Sequence, residues 1–129
     1  MKHFYFLIVA TVLVFTGCKK EEGCTNVGAI NFDAKAEKDD GTCQYNGKVT
    51  FYNEVGSGYG NVDVFINGNP IGTITLDHTN PACGENGAVT FTAVPGAYAF
   101  TAQEESPGSA TWSGVVNITS AGCTIFKLQ

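Results

Sequence analysis

From Tyr45 to the C-terminus the chain is a succession of short β-branched and aromatic runs, broken by Gly, Asn or Pro. This texture constrains the fold more than any other feature. Period-two alternation bounded by turn residues reads as strand, and no run keeps a helical spacing for long enough to read as a helix. Residues 48–53 put Val49 and Phe51 on one face, and in 62–66 Val62, Val64 and Ile66 alternate with Asp63. Asn67-Gly68 then signals a hairpin into 71–76. Residues 87–94 point Val89 and Phe91 inward and Thr90 and Thr92 outward, and Pro95-Gly96 suits the centre of a type II turn. Tyr98 and Phe100 share a face in 97–103, and Trp112, Val116 and Ile118 share one in 111–118. After Ser120-Ala121-Gly122 the chain closes with 123–128, carrying Phe126 and Leu128. The expected fold is all-β: a small antiparallel sandwich of about seven strands over residues 47–129, immunoglobulin-like or transthyretin-like in layout.

What precedes the sandwich has a different character. Residues 4–15 are apolar except for Thr11, follow a short polar start at Lys2-His3, and are too few to span a bilayer as a stable helix. Phe15-Thr16-Gly17-Cys18 then places small residues ahead of a cysteine. This resembles the cleavage box of bacterial lipoproteins, which implies a signal peptide over 1–17 and lipidation of Cys18, with palmitate among the acyl groups. Residues 18–23 form a charged tether containing Lys19-Lys20-Glu21-Glu22. That run resembles the signal that sends some Gram-negative lipoproteins to the exterior face of the outer membrane. The expected location is therefore the outer membrane, lipid-anchored and facing the cell exterior.

Four cysteines remain after Cys18: Cys24, Cys43, Cys83 and Cys123. An even number in an exported chain reads as a disulfide framework, with three connectivities open. Proximity favours Cys24–Cys43, leaving Cys83–Cys123. A zinc site is the rival, but no CxxC spacing exists and His78 is the sole histidine beyond the leader. Residues 24–46 are rich in Gly, Asp, Asn and Lys, too apolar-poor to hold themselves, so closing the loop matters there. Asp39-Asp40-Gly41 is a turn signal.

Two resemblances extend this reading. Gly23-Cys24-Thr25, Ala29, Asn31-Phe32, Ala36 and Asp39-Asp40-Gly41-Thr42-Cys43 resemble a short two-cysteine repeat of secreted and surface proteins, to which no activity attaches. The sandwich is similar to a largely uncharacterised family of β-sandwich modules in bacterial lipoproteins. The likeness rests on Thr50-Phe51-Tyr52, Val64-Phe65-Ile66-Asn67-Gly68, Pro81-Ala82-Cys83-Gly84, Thr90-Phe91, the run from Gly96 through Tyr98 and Phe100 to Ala102, Trp112-Ser113-Gly114 and Gly122-Cys123. Members with a second cysteine pair carry it where this chain has Tyr59 and Ala88. The resemblance implies fold and location and names no substrate.

The chemistry classes narrow quickly. Beyond residue 17 the chain has six Lys and no Arg against twelve Asp plus Glu, a net charge of −6. That balance argues against nucleic acid and leaves the lipid on Cys18 as the membrane contact. His78 reads as a lone loop histidine, and Glu54, Asp77, Glu85, Glu104 and Glu105 fall in or beside turns, so no catalytic residues are expected. Asn31, Asp33, Asp39 and Asp40, with Glu37 nearby, are candidate calcium ligands, although EF-hand spacing is absent and no other cofactor is implied. Gly56-Ser57-Gly58-Tyr59-Gly60 reads as a flexible connection with Tyr59 near its tip. Tyr59 and Trp112 lead the candidate binding aromatics, followed by Tyr52 and Phe65. The expectation is a non-enzymatic surface lipoprotein acting in adhesion, envelope structure or as accessory to a surface complex. The alternative is a carbohydrate-binding or nutrient-uptake accessory, for which a planar row of exposed Tyr or Trp rings would speak. Its partner is an unknown surface protein or glycan.

Overall fold

The computed structural model describes residues 19–105 and 110–129, all without helix. The signal peptide expected over residues 1–17 and the expected lipidation site Cys18 lie outside the described residues. Two short strands, β1 (Glu22–Gly23) and β2 (Lys38–Asp39), pair in parallel near the start. The sandwich contains β3 (Gly47–Glu54), β4 (Val62–Ile66), β5 (Asn69–Ile74), β6 (Asp77–His78), β7 (Val89–Ala93), β8 (Gly96–Glu104), β9 (Thr111–Ile118) and β10 (Cys123–Lys127). Seven of these are the strands expected from sequence; β1, β2 and β6 are two-residue additions.

One sheet runs β5-β4-β8-β9 and is antiparallel throughout. The other centres on β3, with β10 along one edge and β7 and β6 sharing the other. Counting the seven long strands in order, the first, fourth and seventh share one sheet and the rest the other. An immunoglobulin constant domain groups the first, second, fourth and fifth instead. Of the two layouts expected, the immunoglobulin-like one therefore does not describe the chain.

The second sheet is mixed rather than antiparallel. β10 runs parallel to β3, Cys123 opposite Lys48 through Lys127 opposite Tyr52, and β6 is parallel to β3 as well. Only strands joined by a tight hairpin within one sheet are forced to be antiparallel. β10 instead arrives from the opposite sheet through residues 119–122, where Ala121 takes φ 55°. The Pro95-Gly96 connection is also an arch between sheets: Gly96 already opens β8 and lacks the positive φ a type II turn demands. The Asn67-Gly68 hairpin forms as expected, with φ 49° and 79° and Ile66 opposite Asn69.

The inward residues of both sheets meet in one core that includes Val49, Phe51, Val62, Val64, Ile74 and Phe100. Phe51, Phe100 and Phe126 form a mutual aromatic cluster with centroids 4.9–5.7 Å apart. Phe51 is fully buried, which contributes on the order of 3 kcal/mol. β3 is covered on its outer face too. There the buried Thr50 hydroxyl lies 2.7 Å from Thr90 Oγ1, accepts from the Gly84 amide and reaches Cys83 Sγ. The loop between β6 and β7 thus folds over β3, and the Cys83–Cys123 disulfide staples it to the start of β10.

The second disulfide joins Cys24 to Cys43, so the connectivity favoured by proximity is the one present. Residues 24–46 are better organised than their composition suggests. Cys24 is buried, bridges Phe32, and accepts at its carbonyl from the Asp33 amide. The Tyr45 amide donates to Ser120 Oγ at 2.9 Å, tying the segment to the sandwich.

Candidate functional site

The candidate calcium ligands are engaged in shaping their own loop. Asn31 donates to the Thr42 carbonyl and accepts from the Gln44 amide. Asp33 accepts from the Lys35 amide and Asp39 from the Gly41 amide. Asp40 accepts from both the amide and the hydroxyl of Thr42, and these bonds hold its carboxyl below the usual value of 3.8. The three Asp bonds, each to the amide two residues on, are Asx turns, the structural use of Asp in tight loops, while Asn31 ties the loop to residues 42 and 44. Among the described residues no three His, Cys, Asp or Glu side chains converge as a metal-ligand group.

Tyr59 and Trp112 do come together, but not as expected. Tyr59 is no exposed loop tip; it is half-buried and packs against the core beside Trp112. Their rings meet edge to face, centroids 4.9 Å apart and planes at 87°. That arrangement suits the ring quadrupoles, but it is not a planar row, and no Tyr or Trp is strongly exposed among the described residues. Tyr52 is buried in β3, while Phe65 is half-buried at the side of a shallow depression on the outer face of β8 and β9.

Several concavities surround this aromatic pair. A groove of about 580 Å³ runs between the free edges of β9 and β10, lined by Trp112, Phe126 and Leu128 among others. Lys127 borders it and forms a 2.6 Å ion pair with Glu54, whose hydrogen bond and then whose charge raise the lysine pKa. On the other side of Tyr59, a cavity of about 240 Å³ is lined by Asn53, Tyr59, Gly60, Asn61, Thr75, Leu76 and Asp77.

Asn53 is the residue that sequence reasoning passed over. It continues the Val49, Phe51 alternation, so its side chain faces inward at the loop end of β3. Only 1% of it is exposed, yet neither Nδ2 nor Oδ1 has a hydrogen-bond partner within the protein. The readable signal was a polar residue in phase with a strand's core face. His78 also differs from expectation: it lies in β6, half-buried, with Nε2 buried and unpartnered.

The acidic residues near this end are mostly occupied. Glu104 accepts from the Gly60 amide at 2.8 Å, Glu105 accepts from Asn61 Nδ2 at 3.0 Å, and Glu54 holds Lys127. Glu85 lies exposed in the loop over β3, away from this cavity. Asp77 sits opposite Asn53 in the β3–β6 ladder. No family model, curated protein or solved structure matches the chain.

Proposed function

We propose that this protein is a non-catalytic, lipid-anchored lipoprotein of the outer membrane surface, a small disulfide-braced sandwich displayed on a short tether. It acts in adhesion, in envelope structure or as accessory to a surface complex. One observation carries the reading furthest. Four of the five cysteines are used up in two bridges, which leaves Cys18, directly after the apolar leader, with no cysteine in the chain to pair with. An odd cysteine at that position suits a lipid acceptor, and two disulfides suit an oxidising compartment. The resemblance to surface lipoprotein modules and the Lys-Lys-Glu-Glu run support the same address. The engagement of Glu54, Glu104 and Glu105 in structural contacts supports a role without catalysis.

Cys18→Ala is expected to release the protein from membranes or block its processing, read by fractionation and by the mass of the N-terminus. Protease treatment of intact cells is expected to remove the wild type, and alanines at 19–22 to protect it. A wild-type chain found soluble and cut elsewhere overturns the anchor. A wild-type chain resistant on intact cells but cleaved after outer-membrane permeabilisation overturns surface display alone.

A carbohydrate-binding accessory is the second reading. The perpendicular Tyr59–Trp112 pair gives it no stacking platform, but the depression beside Tyr59, lined by the exposed Asn61, Thr75 and Asp77, favours it on separate grounds.

A further inference from the structure

The two sides of the sandwich end differently. On one side β5 lies against β7, with Gly72 close to Val89. β5 also carries Pro70, and its register with β4 shifts after Val64. A proline and a broken register both keep an edge from pairing further. On the other side the edges of β9 and β10 are open, with the groove at Trp112 and Phe126 between them. β10 is only five residues long and carries Lys127. β9 has no such protection. It runs for eight residues without a charge or a proline, and its ladder with β8 is unbroken from Gly96–Ile118 to Gln103–Thr111. Among the described residues no strand pairs with its outer side.

The backbone groups on that outer side follow from two hydrogen bonds. The Glu104 amide donates to the Ala110 carbonyl, so position 110 faces β8. Along an antiparallel strand successive residues turn their N–H and C=O to alternate sides. Positions 112, 114, 116 and 118 therefore face β8, while Ser113, Val115 and Asn117 face outward. The Asn117 carbonyl has the same phase: it accepts from Thr124 Oγ1 of β10 at 3.3 Å and keeps a second lone pair. What fits such an edge is another extended strand. The side chains select which strand. Val115, 61% exposed, stands at the middle of β9 between the polar Ser113 and Asn117, so the strand is complementary to itself when reversed. Residues 106–126 hold no charge, in a chain of net −6 beyond residue 17, so two copies meet there without opposed like charges.

We infer that β9 is the contact surface for a second copy of this chain, joined by antiparallel β9–β9 pairing about a two-fold axis at Val115. A register that keeps core-facing residues together must oppose even positions to even and odd to odd. The Val115 axis does so. It sets Val115 against Val115 of the second copy, Ser113 against Asn117 of that copy, and Trp112 against its Ile118. The outward pairs at 113, 115 and 117 each exchange two backbone hydrogen bonds. The two four-stranded sheets then become one continuous sheet. The pairing does not depend on the lipid anchor, so the two fail separately.

The test uses the full-length protein purified in detergent, with micelles in excess, and reads mass by sedimentation equilibrium. The wild type is expected to pass from monomer to dimer with a dissociation constant on the order of 10 μM. The amides of Ser113, Val115 and Asn117 are expected to gain protection from exchange as the dimer forms. Val115→Lys and Val115→Glu, at an exposed position, are each expected to weaken association about tenfold with the fold intact, because a like-charge pair replaces an apolar one on the axis. An equimolar mixture of the two variants is expected to recover the dimer as a Lys–Glu pair, a rescue that arises only if position 115 opposes itself. A wild type that stays monomeric up to about 1 mM, a hundred times that constant, overturns the proposal and leaves the edge to a strand of another protein. A dimer unaffected by Val115→Lys, or a mixture that stays monomeric, overturns it too.

Discussion

Removing the Cys83–Cys123 bridge while keeping its surroundings is expected to lower the melting temperature of the sandwich by about 20 °C. The bridge spans 40 residues of sequence. In the chain-entropy treatment a closed loop of that length destabilises the unfolded state by about 3.9 kcal/mol. A unit of the size of residues 47–129 unfolds with an entropy of roughly 0.17 kcal/mol/K near its midpoint, and the quotient is the shift given above. Both half-cystines are exposed, so serine at each removes little packing. The Thr50 hydroxyl keeps Thr90 and the Gly84 amide. The assay is calorimetry of Cys83→Ser/Cys123→Ser beside the wild type and beside Cys24→Ser/Cys43→Ser. The second pair closes a 19-residue loop outside the main core, so its loss is expected to speed amide exchange in residues 24–46 and to leave the main transition almost in place. A fall below about 5 °C in the first variant, where the same treatment asks for several times more, refutes the reasoning. So does an equal fall in the second, which makes the N-terminal segment part of the sandwich's cooperative unit.

Gly47→Ala is expected to cost about 3 kcal/mol in urea unfolding, because a Cβ there runs into the Thr119 carbonyl oxygen and lies 2.7 Å from Ile118 Cγ2; an unchanged midpoint contradicts that close approach. The turn at 39–43 is expected to loosen in acid. The Asp40 carboxyl has a folded pKa below its ordinary 3.8, so its contribution is present above the unfolded value and is lost as pH falls through the lowered folded value. The Thr42 amide, monitored by NMR, is expected to lose its hydrogen-bonded shift in that window, and a shift that titrates above pH 3.8 contradicts the assignment.

The sandwich was legible wherever a local rule governs. Alternation found the core faces of β3, β4, β7, β8 and β9, and Asn67-Gly68 found its turn, because neighbours along the chain decide both. Strand direction in the second sheet was not legible: it depends on which sheet β10 joins after a four-residue arch, and that is settled by packing of Phe126 and Leu128 against a distant core. Tyr59 was misjudged for a similar reason. Five residues of Gly, Ser and Tyr read as a free loop, while Trp112, fifty-three positions on, supplies the surface that draws the ring inward. Asn53 was open to discovery, since its phase with Val49 and Phe51 already put an amide in the core; only the structure shows that nothing in the protein answers it.

The parallel run of β3 and β10 has a mechanical consequence. A pull on the N-terminal end of β3 against the C-terminal end of β10 acts along both strands. The five residue pairs from Lys48–Cys123 to Tyr52–Lys127 then resist together in shear. A hairpin loaded at its open end, such as β4–β5, instead opens one pair at a time. The chain therefore places its first and last sandwich strands where tension meets the whole ladder at once, and the cavity at Asn53 sits at the far end of β3 from the point where the N-terminal segment enters.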